Sequence, residues 1–203
     1  MLAIFKREFK SYFQNVIGWL FVAALLAVYG LYFYVYNLKN GYPYISYDLK
    51  GIGFIMMIAV PILTMRSLSD EKKTKTDQLM LTSPVSVGKI VAGKYFAMAA
   101  VYTIDIALFA LSPLVLSIYG KVALSEAYVA LFGYWLYGLS CIAVGLFISS
   151  ISESVIISAI LTFAALFLSY MMQSITGLIS SSGNLLTKVL NCFDLYTPFE
   201  NFV

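Results

Sequence analysis

The sequence predicts an all-α polytopic membrane protein: an interfacial N-terminal helix followed by five transmembrane helices. Composition is the first reason. Of 203 residues, 61% are hydrophobic and 11% charged, with a mean hydropathy of +0.87, whereas a soluble domain is about half apolar and a quarter charged. The second is the set of long apolar runs, since about 20 such residues in a helix cross a hydrocarbon core of ~30 Å. The third is that basic residues gather beside those runs rather than in one patch. The whole of 1–203 reads as a single transmembrane domain.

Residues 1–14 form the interfacial helix. Leu2, Phe5, Phe9 and Phe13 recur at helical spacing, with Lys6, Arg7 and Lys10 around the other side, the pattern of a basic amphipathic helix at a membrane surface. Val16 to Tyr36 then runs without a charge and is long enough to span. It is longer than the core of a signal peptide and has no clear cleavage site, so it is expected to stay as an anchor. Its far end carries Tyr29, Tyr32, Tyr34 and Tyr36, followed by Tyr42, Tyr44 and Tyr47 around Gly41 and Pro43. Such tyrosines form an aromatic belt at the membrane boundary or line a substrate path.

The second run, Gly51 to Met65, begins nearer Ile45 if the tyrosines complete its length, and Pro61 is expected to kink its inner end. Arg66 to Lys89 is the long polar stretch and lies outside the hydrocarbon. A third span is expected over Ile90 to Tyr119, a fourth over Val122 to Ser149 and a fifth over Val155 to Ile179. Turns fall at Gly120 and Lys121 and at Ser149 to Ser154, and Ser180 to Asn191 is a polar loop. With a cytoplasmic N-terminus, Lys6, Arg7, Lys10, Arg66, Lys72, Lys73, Lys75, Lys89 and Lys94 share the inner side. Lys39, Lys50, Lys121 and Lys188 lie opposite, a nine to four split that favours this orientation in the cell (inner or plasma) membrane.

Several function classes lose support. Histidine is absent, which removes the commonest general base and metal ligand. Cys141 and Cys192 are few and widely spaced, so they read as apolar filler rather than a disulfide framework or metal site. A net charge of +3 without a basic patch gives no nucleic-acid footprint. Val87-Gly88-Lys89-Ile90 lacks the first glycine and the Ser/Thr of a phosphate-binding loop.

Inside the spans, Asp105 stands out, with Tyr102 and Ser112 on the same helical face. A carboxylate there costs at least about 2.5 kcal/mol to insert and should face protein or a wet cavity. Two readings stay open for Tyr102, Asp105 and Ser112: a satisfied structural hydrogen bond, or a part in the transport path. Lys94, nearer the inner end, is expected to snorkel. Gly138, Cys141, Gly145 and Ser149 make one face of the fourth span small enough for close helix packing. Within the polar stretch, Thr76 can cap a short helix through Leu79, Met80, Leu81 and Thr82 that ends before Pro84. Its apolar surface either folds back on the membrane or is offered to a partner's groove.

The run SDEKKTKTDQLMLTSPV, Ser69 to Val85, resembles the cytoplasmic segment of type-2 ABC exporter permeases, where an acidic pair, basic residues, a Leu-rich turn and a Thr-x-Pro-Val ending recur. Phe5 to Phe21 is similar to that family's leading helix and first span. Gly145 to Ala159 resembles the junction of its fourth and fifth spans, and Asp194 to Phe202 the stretch before its last span. The resemblance implies a dimer of permeases, identical or paired with a sister chain, embedded in membrane lipid and bound to two cytoplasmic ABC ATPase subunits that drive export. It implies no cofactor in this chain, with ATP and Mg on the partner ATPase.

It further implies a coupling region at 66–89, with Asp70, Glu71, Thr76, Leu79, Met80, Leu81, Thr82 and Pro84 as ATPase-coupling residues. Glu153, in the next inner turn, reads either as a further partner contact or as a solvated charge. Two residues depart from the family pattern: Lys75 stands where Gly is common, and Gln78 where an acid is common. The family's sixth span, expected after Phe202, is apparently missing. The rival readings are an ion-coupled secondary transporter, which would normally want more intramembrane polar groups, and a non-transporting membrane assembly subunit. An intramembrane enzyme finds no zinc or serine-hydrolase motif in the sequence.

Overall fold

A computed structural model describes residues 2–75, 86–120, 122–179 and 194–202. Among them the elements are α1 (Leu2–Gln14), α2 (Val16–Tyr32), α3 (Ser46–Thr64), α4 (Ser69–Lys73), α5 (Val87–Phe109), α6 (Ser112–Tyr119), α7 (Leu124–Ile151), α8 (Val155–Ile179) and α9 (Tyr196–Phe202). The described residues contain no strand. Five stretches, 16–39, 46–73, 87–119, 124–151 and 155–172, are long and apolar enough to cross a membrane.

α3 is the centre of the bundle and packs on α2, α7 and α8. Leu49, Ile52, Met56, Met57, Val60 and Leu63 recur at three and four residues, and all are fully buried, which is one continuous helical stripe. Pro61 lies inside α3, and the chain remains helical through it to Thr64. The outward side chains are apolar as well: Ile118, Ile156 and Phe147 are among the most exposed residues. A face of this kind is at home in hydrocarbon, where contact between helices depends on close packing and small residues rather than on escape from water. The expected small face is such a place. A Cβ on Gly138 would lie 2.3 Å from Tyr102 Cζ, and one on Gly145 would lie 2.5 Å from Thr64 Oγ1, so at these two places α7 approaches α5 and α3 because it has no side chain there.

α1 lies against α5, and its rings stack along one side, Phe5 on Phe9 at 5.9 Å and Phe9 near Phe13 at 5.0 Å. Trp19 closes the turn into α2, donating its indole N–H to Phe13 O at 3.0 Å.

The structure differs from the sequence reading in three places. The third span is two helices, broken at Ala110 and Leu111. Pro113 has no N–H to give to the carbonyl of Phe109. Ser112 Oγ supplies the missing donor at 2.7 Å. The C-terminal end of the first span is wider than an α-helix: after Tyr32 the chain continues as a π-helix over Phe33–Lys39. Finally, α5 begins at Val87, before Gly88 and Lys89, so the polar stretch ends earlier than expected.

Candidate functional site

Where α1, α4, α5 and α7 meet, the bundle carries a cluster of paired charges. Lys94, near the start of α5, is 2% exposed, and its Nζ donates to Ser67 O at 2.8 Å and to Glu71 Oε1 at 2.7 Å. Glu8 of α1 stands 3.5 Å from the same ammonium. Arg7 closes the group, 2.6 Å from Glu8 and 3.9 Å from Glu71. Lys94 therefore does not snorkel. A buried ammonium keeps its charge only with such partners, and two acids and a backbone carbonyl provide them. The same environment pushes the Tyr12 phenol above its ordinary pKa, first by burial and then by the charge of Glu8.

α4 is fastened on its other side as well. Ser149 Oγ, at the end of α7, accepts the backbone N–H groups of Leu68 at 3.1 Å and Ser69 at 3.2 Å. These are donors that the first turn of α4 leaves without helical partners. Lys72 donates to the carbonyl of Ser150, and Thr74 Oγ1 returns to Asp70 O at 2.8 Å. The stretch then turns at Lys75, which has φ 56°. That left-handed conformation costs an L side chain about 1–2 kcal/mol. It falls at the residue where glycine is common in the family that the sequence resembles.

Of the expected coupling residues, Glu71 thus sits in the charge cluster, while Asp70 and Glu153 are exposed. Thr76, Leu79, Met80, Leu81, Thr82 and Pro84 lie outside the described residues, as do Lys121 and Cys192. Cys141 is buried and free.

Two of the three intramembrane candidates, Tyr102 and Ser112, are separately engaged. Tyr102 donates to Tyr134 O at 2.7 Å. Ser112 gives its proton to Phe109 O and accepts from Tyr29, whose ring stacks on Phe109 with centroids 4.0 Å apart. Asp105 is fully buried, and among the described residues neither carboxylate oxygen has a hydrogen-bond partner. The hydrogen-bonded reading of Asp105 is not met.

Asp105 is also not the lone buried acid. Asp48, in the first turn of α3, is fully buried and accepts from Asn37 Nδ2 on the wide turn after α2. Sequence reasoning passed over this pair because both residues flank the Gly41-Tyr42-Pro43-Tyr44 turn, which reads as solvated. The available signal was an acid immediately before Leu49, the first residue of the apolar stripe of α3. No group of three or more metal-ligating side chains occurs among the described residues.

At the C-terminal end, Tyr137 and Phe199 stack with centroids 5.0 Å apart, and Asp194 Oδ1 accepts the N–H groups of Tyr196 and Thr197 at the start of α9. Burial pushes the Tyr196 phenol up to about 12, with Glu200 adding to it.

Searches of curated proteins and of solved structures returned no match. A family model described as ABC-2 family transporter protein matches residues 8–203. That match takes in nearly the whole chain, and the helices it covers are those able to cross a membrane. The chain therefore belongs to the ABC-2 transporter family, as a multi-pass membrane transport subunit of the permease type.

Proposed function

We propose that this chain is the transmembrane permease subunit of an ATP-driven ABC exporter. In this reading it forms the substrate path as a dimer with a second permease, and cytoplasmic ATPase subunits act on it through the segment 66–89. The supporting observation is the fastening of α4. One short helix is bound to α7 through Ser149 and Lys72, and to α5 and α1 through Glu71 and Lys94. Packed interiors are stiff, so a displacement delivered just beyond α4 passes to two spanning helices and the N-terminal helix together.

The docking element is then the apolar stretch of Leu79, Met80 and Leu81, with Thr76, Thr82 and Pro84 flanking it in sequence, and the exposed Asp70 and Glu153 are further contacts. ATP and Mg belong to the partner ATPase. The nine to four division of basic residues puts this end, with the N-terminus, in the cytoplasm of a cell whose inner or plasma membrane holds the chain.

The test is the Leu79→Ala/Leu81→Ala double variant, with co-purification of the ATPase and transport in vesicles as readouts. Each leucine contributes about 1.5–3 kcal/mol if fully covered, so docking should weaken about a hundredfold or more while the variant still inserts. Unchanged ATPase binding by a stable double variant would refute the coupling assignment.

One observation favours a second reading, ion-coupled transport: the unpartnered carboxylate of Asp105. The same vesicles separate the two. ATP-driven transport that persists when a protonophore collapses the gradient supports the exporter, whereas loss of transport with ATP still high supports ion coupling.

A further inference from the structure

At the end of the α5–α6 run remote from Lys94, a cavity of about 520 Å³ lies between the turn after the first span and the end of α6, lined in part by Asn37, Gly41, Tyr42, Pro43, Leu116 and Tyr119. Its volume is in the range of small-ligand sites. Asn37 is 4% exposed, and Asp48, fully buried, stands behind it. Once Asn37 Nδ2 has donated to Asp48 Oδ2, Asn37 Oδ1 and Asp48 Oδ1 are left without a partner among the described residues. Both are acceptors. The basic residues nearest in sequence, Lys39 and Lys50, form no ion pair with Asp48 in the described structure.

We propose that this cavity binds a primary ammonium group. Asn37 Oδ1 is the first acceptor, reached as its amide turns toward the cavity that it lines, the Asp48 carboxylate is the counter-charge behind it, and the rings of Tyr42 and Tyr119 are the walls. The chemistry of the unfilled atoms selects this ligand. An anion would meet a carboxylate and an amide oxygen. A quaternary ammonium has the charge but no N–H to place on them. A hard metal ion takes six or more oxygens at short range, and the described residues hold no cluster of three acids. A primary ammonium brings three donors on a compact charge, and aromatic faces attract such a cation. A free amine and the amino headgroup of a lipid share this chemistry. The inference does not depend on ATP-driven export, because binding needs neither nucleotide nor partner.

The test uses the full chain purified in an uncharged maltoside detergent and dansylcadaverine, a fluorescent primary amine, followed by anisotropy. Saturable binding is expected, with none by an uncharged dansyl amide. Asp48→Asn keeps a hydrogen bond to Asn37 but removes the charge, and it should weaken binding about tenfold or more. Tyr119→Ala, at a side chain 77% exposed, leaves the core alone and should weaken it about two- to fivefold. This second variant and the neutral probe decide the matter even if Asp48→Asn does not fold. Equal binding of the charged and neutral probes, or full affinity in a folded Asp48→Asn protein, would overturn the proposal. Nanodiscs of phosphatidylcholine with and without phosphatidylethanolamine then identify the source. Displacement of the probe by the ethanolamine lipid points to a lipid headgroup, and undiminished binding points to a free amine. With no ATPase in the assay, a failure here leaves the export reading standing, and the reverse is equally true.

Discussion

Lys94 Nζ lies 2.7 Å from Glu71 Oε1 and 3.5 Å from Glu8 Oε1, so one buried ammonium holds carboxylates from two different helices. Replacing it leaves the two acids near one another with Arg7, a half-exposed partner. Lys94→Met is therefore expected to lower stability by about 3 kcal/mol, read as a fall in melting temperature in detergent, while Arg7→Ala should lower it by about 1 kcal/mol or less. Because Lys94 is covered, added salt should change its contribution little.

Ser149 is a helix cap supplied by another helix. Ser149→Ala removes the acceptor from two N–H groups at once, and about 1–2 kcal/mol should be lost. Hydrogen exchange gives the sharper reading. The amides of Leu68 and Ser69 should lose protection, whereas those in the middle of α7 should not.

The close approaches of α7 predict a contrast among glycines. Gly145→Ala and Gly138→Ala each place a methyl group inside contact distance of a fully buried side chain, Thr64 or Tyr102, and each should destabilise by about 1–3 kcal/mol. Gly30→Ala meets nothing within 4 Å, and it should be neutral or stabilise α2 by about 0.5–1 kcal/mol. Equal melting temperatures for the three variants would contradict this packing.

Lys75→Gly relieves the left-handed residue after α4. A gain of about 1 kcal/mol is expected, with Lys75→Val, whose branched side chain suits that conformation worse, falling below the parent. The same melting series in detergent measures both.

The spans were legible because each is a long, predominantly apolar run, and such a run satisfies its backbone in lipid only as a helix. The polar segment between the second and third spans was legible from charge, and the small face of α7 from its spacing. What escaped notice depends on partners distant in sequence. A lysine near the end of an apolar run usually reaches for water, and nothing local says that Glu8 and Glu71 will meet Lys94 instead. Asp48 looks like a turn residue until Asn37 is folded onto it. The break in the third span was not read from the sequence, although Pro113 stands there, and its tolerance lies in Ser112 donating to the carbonyl that proline leaves. Among the candidate coupling residues, Glu71 is placed in a network, Asp70 and Glu153 at the surface, and the turn around Leu79 to Leu81 belongs to residues the structure does not describe.

The wide turn over Phe33–Lys39 has a consequence for anyone counting along the first span. Helical numbering carried outward from Val16 is out of phase beyond Phe33, because the chain there accommodates extra backbone in each turn. Removing one residue between Phe33 and Val35 to regularise the helix would swing Asn37 by about 100°. Asp48 would keep its position and lose the hydrogen bond from Asn37, so a shortening that improves the helix taken alone would unmake the junction between the first two spans.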